Sequence, residues 1–138
     1  MLVNKKLKAL FSSRTRLALI KIFFGKAGEM FYVRQLTRLS GEEINSVRRE
    51  LAKLLKISVL LSEKRGNRLY YWVNFGSVFY RPLLIMAQKS SGLGMKIISK
   101  KRQLGKLKYL IYSSHFANGL KNRDGLVDLI VVGRVDLD

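Results

Sequence analysis

The side chains best suited to chemistry in this chain are arginines, lysines and asparagines set on one face of a helix and on a turn close behind it. From Ile44 the apolar residues Val47, Leu51, Leu54 and Leu55 recur at helical spacing. At about 100° per residue the opposite face then carries Asn45, Ser46, Arg49, Lys53 and Lys56, with Arg48 on its flank. Arg and Asn pair in bidentate fashion with guanine and adenine edges, a helix is the element that fits the major groove, and a flanking Arg suits a phosphate. Any amphipathic helix has a polar outer face, so the assignment depends on what surrounds this one. Downstream, Lys64, Arg65, Asn67 and Arg68 cluster about Gly66, and an exposed basic turn of this kind reaches phosphates or the minor groove. Upstream, Arg14, Arg16, Arg34 and Arg38 fall near the starts or outer faces of two further helical segments, where backbone amides and basic side chains both suit phosphate. Two or more of these four are expected to be plain surface charges.

Other chemistry drops out early. The 138 residues include no Cys and one His, which removes disulfides, thiolate nucleophiles, Cys-based zinc or iron–sulfur sites and imidazole-rich metal sites. His115 has no Ser-His-Asp spacing around it and reads as structural or surface. No cofactor is expected. The 27 Lys and Arg against 9 Asp and Glu give a net charge of +18, which points to a polyanionic partner, nucleic acid before anionic membrane. Up to Asn74 there are 16 basic and 5 acidic residues, and beyond it 11 and 4, so no single tail accounts for the excess. The longest apolar runs, such as Leu17 to Ile20 and Leu129 to Val132, fall far short of the roughly 18 residues of a membrane span. Met1 to Leu10 lacks the apolar core and cleavage site of a secretory signal, so a cytoplasmic protein without a membrane partner is expected.

The elements that must position these residues follow from local pattern. Ser12 and Ser13 can cap a helix through Leu17, Ile20, Ile22, Phe23 and Phe24 that Gly25 and Gly28 stop. Met30 to Val33 offers a short extended stretch. Val33, Leu36 and Leu39 step at three residues to Ser40-Gly41, and Glu42 and Glu43 favour the positive end of the dipole of the helix from Ile44. Val59 to Lys64 and Arg68 to Val73 are β-favouring runs joined by Arg65-Gly66-Asn67, a hairpin turn with Gly and Asn available for positive φ. Helix, short strand, helix, tight turn, helix and hairpin is the layout of a winged helix-turn-helix.

Beyond Asn74, Val78, Phe79, Leu83, Leu84, Met86 and Ala87 predict a helix with Pro82 in its first turns and Ser90-Ser91-Gly92 at its end. A short helix through Met95 to Leu104 and two buried strands, Leu107 to Tyr112 and Val127 to Val132, follow, with a helix or loop at His115 to Gly119. Tyr70, Tyr71, Trp72, Phe75, Phe79 and Tyr80 read as core or dimer contacts rather than a base-stacking platform.

The stretch LSGEEINSVRRELAKLLKISVLLSEKRGNRLYYWVN, Leu39 to Asn74, with FSSRTRLALIKIFF and FYVRQLTRLSG before it, resembles prokaryotic winged helix-turn-helix regulators that carry a nucleotidyltransferase-like segment. The resemblance covers about Leu10 to Asn74 and implies that Ile44 to Leu51 opens the recognition helix and that Glu63 to Tyr71 is the wing. KLKYLIYSSHFANG and DGLVDLIVVGRVD are similar to the opening of the minimal nucleotidyltransferase fold, where a Gly-Ser turn and an Asp-x-Asp strand hold metal and nucleotide. Here Ser113-Ser114 replaces Gly-Ser, and Leu126-Val127-Asp128 keeps one of the two carboxylates. One carboxylate cannot hold two magnesium ions around a triphosphate. The sequence also reaches Asp138 before the strand from which that fold usually draws another acid, and Asp136 and Asp138 are not at the family's positions.

The expected fold is therefore mainly α with a β-hairpin wing, a winged helix-turn-helix, followed by a small α/β segment. The expected domains are 1–90, DNA-binding with a trailing helix, and 91–138, a partial nucleotidyltransferase-like segment without enzyme activity. The expected function is sequence-specific double-stranded DNA binding by a transcriptional regulator, in which Asn45, Ser46 and Arg49 read bases while Arg34, Arg48, Lys53, Lys64, Arg65, Asn67 and Arg68 complete the contact. A homodimer through the aromatic helix after Asn74 is expected. The alternatives are a nucleotide-binding nucleotidyltransferase-like protein, or an antitoxin-like module with a protein partner at the C-terminal segment.

Overall fold

The computed structural model, which describes residues 2–118, 120 and 127–136, is a mixed α/β chain carrying two small antiparallel sheets. Helix α1, Leu2–Leu10, has no counterpart in the sequence reading; it packs beside the next helix and a later one. The start of α2, Arg14–Gly25, is set by Ser13, whose side chain accepts the Arg16 N–H at 3.1 Å. That bond satisfies one of the amide donors a helix start leaves open. The strand β1 is only Phe31–Tyr32, and α3, Val33–Ser40, ends at Gly41 in the left-handed conformation. At the start of α4, Ile44–Lys56, the Glu43 carboxylate accepts the Asn45 and Ser46 N–H groups at 2.8 and 2.9 Å. These backbone bonds, foremost that from Asn45, hold the Glu43 carboxyl below the ordinary carboxylate value.

The hairpin strands are β2, Leu60–Arg65, and β3, Arg68–Val73. Arg65 pairs with Arg68, so the loop is Gly66-Asn67 alone, and Gly66 has φ 60°. Only the first loop position is left-handed, the pattern of a II′ turn; Asn67 is not needed for positive φ, a correction to the sequence reading. The sheet order is β1-β3-β2, with Tyr32 opposite Tyr70, which ties the hairpin to the entrance of α3.

One apolar core joins these elements. Leu19, Ile20, Phe23 and Phe24 of α2 meet Leu36, then Val47, Leu51 and Leu54 of α4, the inward Tyr71 and Val73 of β3, and Leu84 and Ala87 of α5, Tyr80–Ser91. Phe23 and Phe31 meet edge to face at 5.4 Å. Leu51 is fully buried, and cutting such a side chain back to Ala costs about 2–5 kcal/mol. The apolar face of α5 is thus consumed against α2. The buried part of that face is occupied within the chain, Ile85 of α5 remains exposed, and Val78 and Phe79, expected inside the helix, lie before it with Phe75 and are exposed.

The remaining elements are α6, Leu93–Ser99; α7, Lys101–Leu104; β4, Gly105–Tyr112; α8, Ser114–Ala117; and β5, Leu129–Val135. β4 and β5 form a two-stranded antiparallel ribbon. Its cross-strand pairs Tyr109 with Val132 and Ile111 with Ile130 are exposed, so the expectation of buried strands fails. Two strands with no layer over this face leave it open to water, while Leu107, Leu110 and Tyr112 on the other face are half-buried. The ribbon is moored by polar bonds: the Tyr80 hydroxyl donates to the Asn118 carbonyl, and the Gln88 amide donates to the Phe116 and Ala117 carbonyls at 3.3 and 3.1 Å. Tyr112 also closes over Gly94 of α6, where any side chain would collide with its hydroxyl. Gly119, Leu126 and Asp138, to which the sequence reading assigned positions, lie outside the described residues. Among the described residues no helix is long and apolar enough to cross a membrane.

Candidate nucleic-acid interface

Helix α4 and the turn that leads into it are each tied to α2, and both ties use arginines that the sequence offers for phosphate. Arg14 Nε lies 2.8 Å from Glu42, whose carboxylate also accepts the Thr15 hydroxyl at 3.2 Å. Arg16 Nε donates to Glu50 at 2.7 Å, and Lys53 approaches the other Glu50 oxygen at 3.2 Å. Burial penalises the Glu50 charge, but the bonds from Arg16 and Lys53 outweigh it and hold its carboxyl below the ordinary value. Arg16 therefore works within the fold, orienting α4, while Arg14, largely exposed, is paired with Glu42 in the turn before it.

With α4 fixed, its outer face carries Asn45, Arg48, Arg49 and Lys53, all exposed, and the half-buried Ser46. Arg49 donates to the Ser46 hydroxyl at 3.0 Å, which aligns the guanidinium along the helix face. Arg48 turns the other way. It joins Arg34, Arg38, Asn67 and Arg68 around a cleft of about 790 Å³ between α3, the start of α4 and the hairpin turn, with Tyr32, Thr37 and Ile44 among its other walls. The lining holds four arginines and no acid. Arg68 lies 4.8 Å over the Tyr32 ring, a cation–π contact that keeps the guanidinium in place, and Arg38 Nη2 reaches the Tyr32 hydroxyl at 3.5 Å. Arg34 and Arg48 have no ion-pair partner among the described residues. Burial pushes the Tyr71 phenol up, and the Arg48 charge opposes that shift.

Of the sequence-selected residues, the structure brings Arg34, Arg38, Arg48, Asn67 and Arg68 into this cleft and leaves Asn45, Ser46, Arg49 and Lys53 along the adjoining helix face. Lys64 and Arg65 lie outside the cleft on the β2 side of the turn, and Arg65 is paired with Glu63 at 2.7 Å, so its charge is partly neutralised. The residues sequence reasoning missed are Tyr32 and Thr37, which shape the cleft. Tyr32 owes its place to the β1–β3 register, for which no local signal exists.

The C-terminal segment offers less. Ser113 caps α8 by accepting the Phe116 N–H, its own N–H donates to the Asp128 carbonyl, and His115 is exposed. Among the described residues no three His, Asp or Glu side chains gather as a metal-holding group. Comparison of the chain with family models, curated proteins and solved structures finds no match.

Proposed function

We propose that this chain is a winged helix-turn-helix protein that binds double-stranded DNA with sequence preference and regulates transcription. The observation that carries the reading is the cleft of four arginines, free of acids, set between the exposed face of α4 and the hairpin turn. One duplex docked on this surface meets both kinds of contact: α4 enters the major groove with Asn45, Ser46 and Arg49 toward base edges, while Arg34, Arg38, Arg48 and Arg68 take the flanking phosphates. Lys53, Lys64, Arg65 and Asn67 extend the contact along the backbone, and the net charge of +18 draws the duplex in. Two copies on half-sites about one helical turn apart belong to the same proposal. The exposed Phe75, Val78 and Phe79 are then the contact, in place of the buried face of α5.

The test is fluorescence anisotropy of the full chain against a random duplex library and matched RNA, from low to physiological salt, with sequencing of the retained duplexes. A recovered motif that survives physiological salt supports the reading. Binding that is equal for DNA and RNA and vanishes at physiological salt overturns it. In that case the exposed apolar face of β4 and β5, Tyr109, Ile111, Ile130 and Val132, makes a protein partner the better reading.

A further inference from the structure

A second cavity of about 730 Å³, which shares no lining residue with the arginine cleft, opens between the end of α2, the end of α5, α6 and the ribbon. Phe24, Tyr112, Phe116 and Leu93 give it apolar and aromatic walls, and Asp128 contributes a carboxylate whose Oδ1 has no partner among the described residues. That oxygen is buried and accepts no hydrogen bond from the described residues. A buried carboxylate oxygen left without a donor is costly, so a group that supplies a donor there is favoured. The other charges of the lining are spent or outside: Lys26 pairs with Glu29 at 3.7 Å, and Lys26 and Lys96 are exposed. A volume of this size suits a small molecule.

We infer that this cavity binds a small aromatic molecule carrying a protonated amine, with the ammonium donating to Asp128 and the ring seated among Phe24, Tyr112 and Phe116. The aromatic walls accept a planar apolar body, and an ammonium is attracted to both the carboxylate and the ring faces. A net charge of +18 repels cations at long range, so a preference for an amine over its neutral analogue reports an acid close by. The site is separate from the proposed DNA surface and stands or falls without it.

The experiment is calorimetric titration and thermal melting of the full chain with tyramine and tryptamine, set against the matched neutral alcohols tyrosol and tryptophol. The amines should raise the melting temperature and bind about tenfold or more tightly than the alcohols, the scale of one charge-assisted hydrogen bond. Asp128→Asn, which keeps the backbone bond from Ser113, should abolish the preference. Ser91→Phe, at an exposed lip of the cavity, should block amine and alcohol alike without touching the core. Amines that bind no better than alcohols, or an Asp128→Asn chain that keeps the preference, overturn the assignment, and so does the absence of binding by either amine.

Discussion

Replacing Glu50 by Ala should destabilise the chain by about 2 kcal/mol, and most of that loss should vanish when Arg16 is already Ala. The Glu50 side chain is 8% exposed and its partners Arg16 and Lys53 are 31% and 60% exposed. A hydrogen bond to a charged group contributes about 1.5–3 kcal/mol. Arg16 is partly exposed, so water screens its bond, and it regains further water when the carboxylate is removed. Lys53 is mostly solvated, so its bond adds well under about 1 kcal/mol. Removing the carboxylate also relieves its own desolvation, which brings the net to about 2 kcal/mol, or roughly 6–10 °C in Tm for a chain of this size. The assay is urea denaturation of Glu50→Ala, Arg16→Ala and the double variant, read as a cycle with a coupling of about 1–2 kcal/mol. Because the folded Glu50 carboxyl titrates below its ordinary value of 4.5, its contribution is complete above that pH and is lost as the pH falls through the lower folded value. The gap between wild type and Glu50→Ala should therefore close in acid. A loss under about 0.5 kcal/mol with no coupling would refute the reasoning, since α4 would then be held to α2 by apolar contact alone.

Further outcomes follow from the same structure. Ser58 holds a left-handed conformation, φ 57°, at the turn from α4 to β2, so Ser58→Gly should stabilise by about 0.5–1 kcal/mol in urea denaturation; a loss of stability counts against strain at that residue. Arg49→Ala should relax base preference in a selection experiment, whereas Lys64→Ala should weaken all duplexes alike and lower the salt slope by about one. Equal losses on selected and random DNA for Arg49→Ala would sink that division of roles. Arg48→Gln should weaken duplex binding and reduce its salt dependence, while Arg14→Gln, whose charge is taken by Glu42, should leave DNA affinity nearly unchanged; the reverse ranking in anisotropy titrations would displace the cleft as the phosphate site.

Sequence alone determined the pieces whose physics is local. Ser13 and Glu43 start their helices, the apolar positions of α4 choose its inner face, and Gly66 permits the tight hairpin, because each effect acts within a few residues along the chain. The helical spacing therefore selected Asn45 and Arg49 as exposed, and the hairpin turn selected Arg68. Only the tertiary structure decided which charges remain available. Arg14 and Arg16 look no different in sequence from Arg34 and Arg38, yet acids 28 and 34 residues away take the first two. The pairing of β1 with β3 carries the second two toward Arg48 and Arg68. The apolar faces divided in the same way. Leu84 and Ala87 found α2, whereas Tyr109 and Ile130, equally apolar, found nothing among the described residues to cover them. Periodicity records that a face is apolar and a helix polar opposite it, but which partner meets that face, or that charge, depends on contacts between segments far apart in the chain.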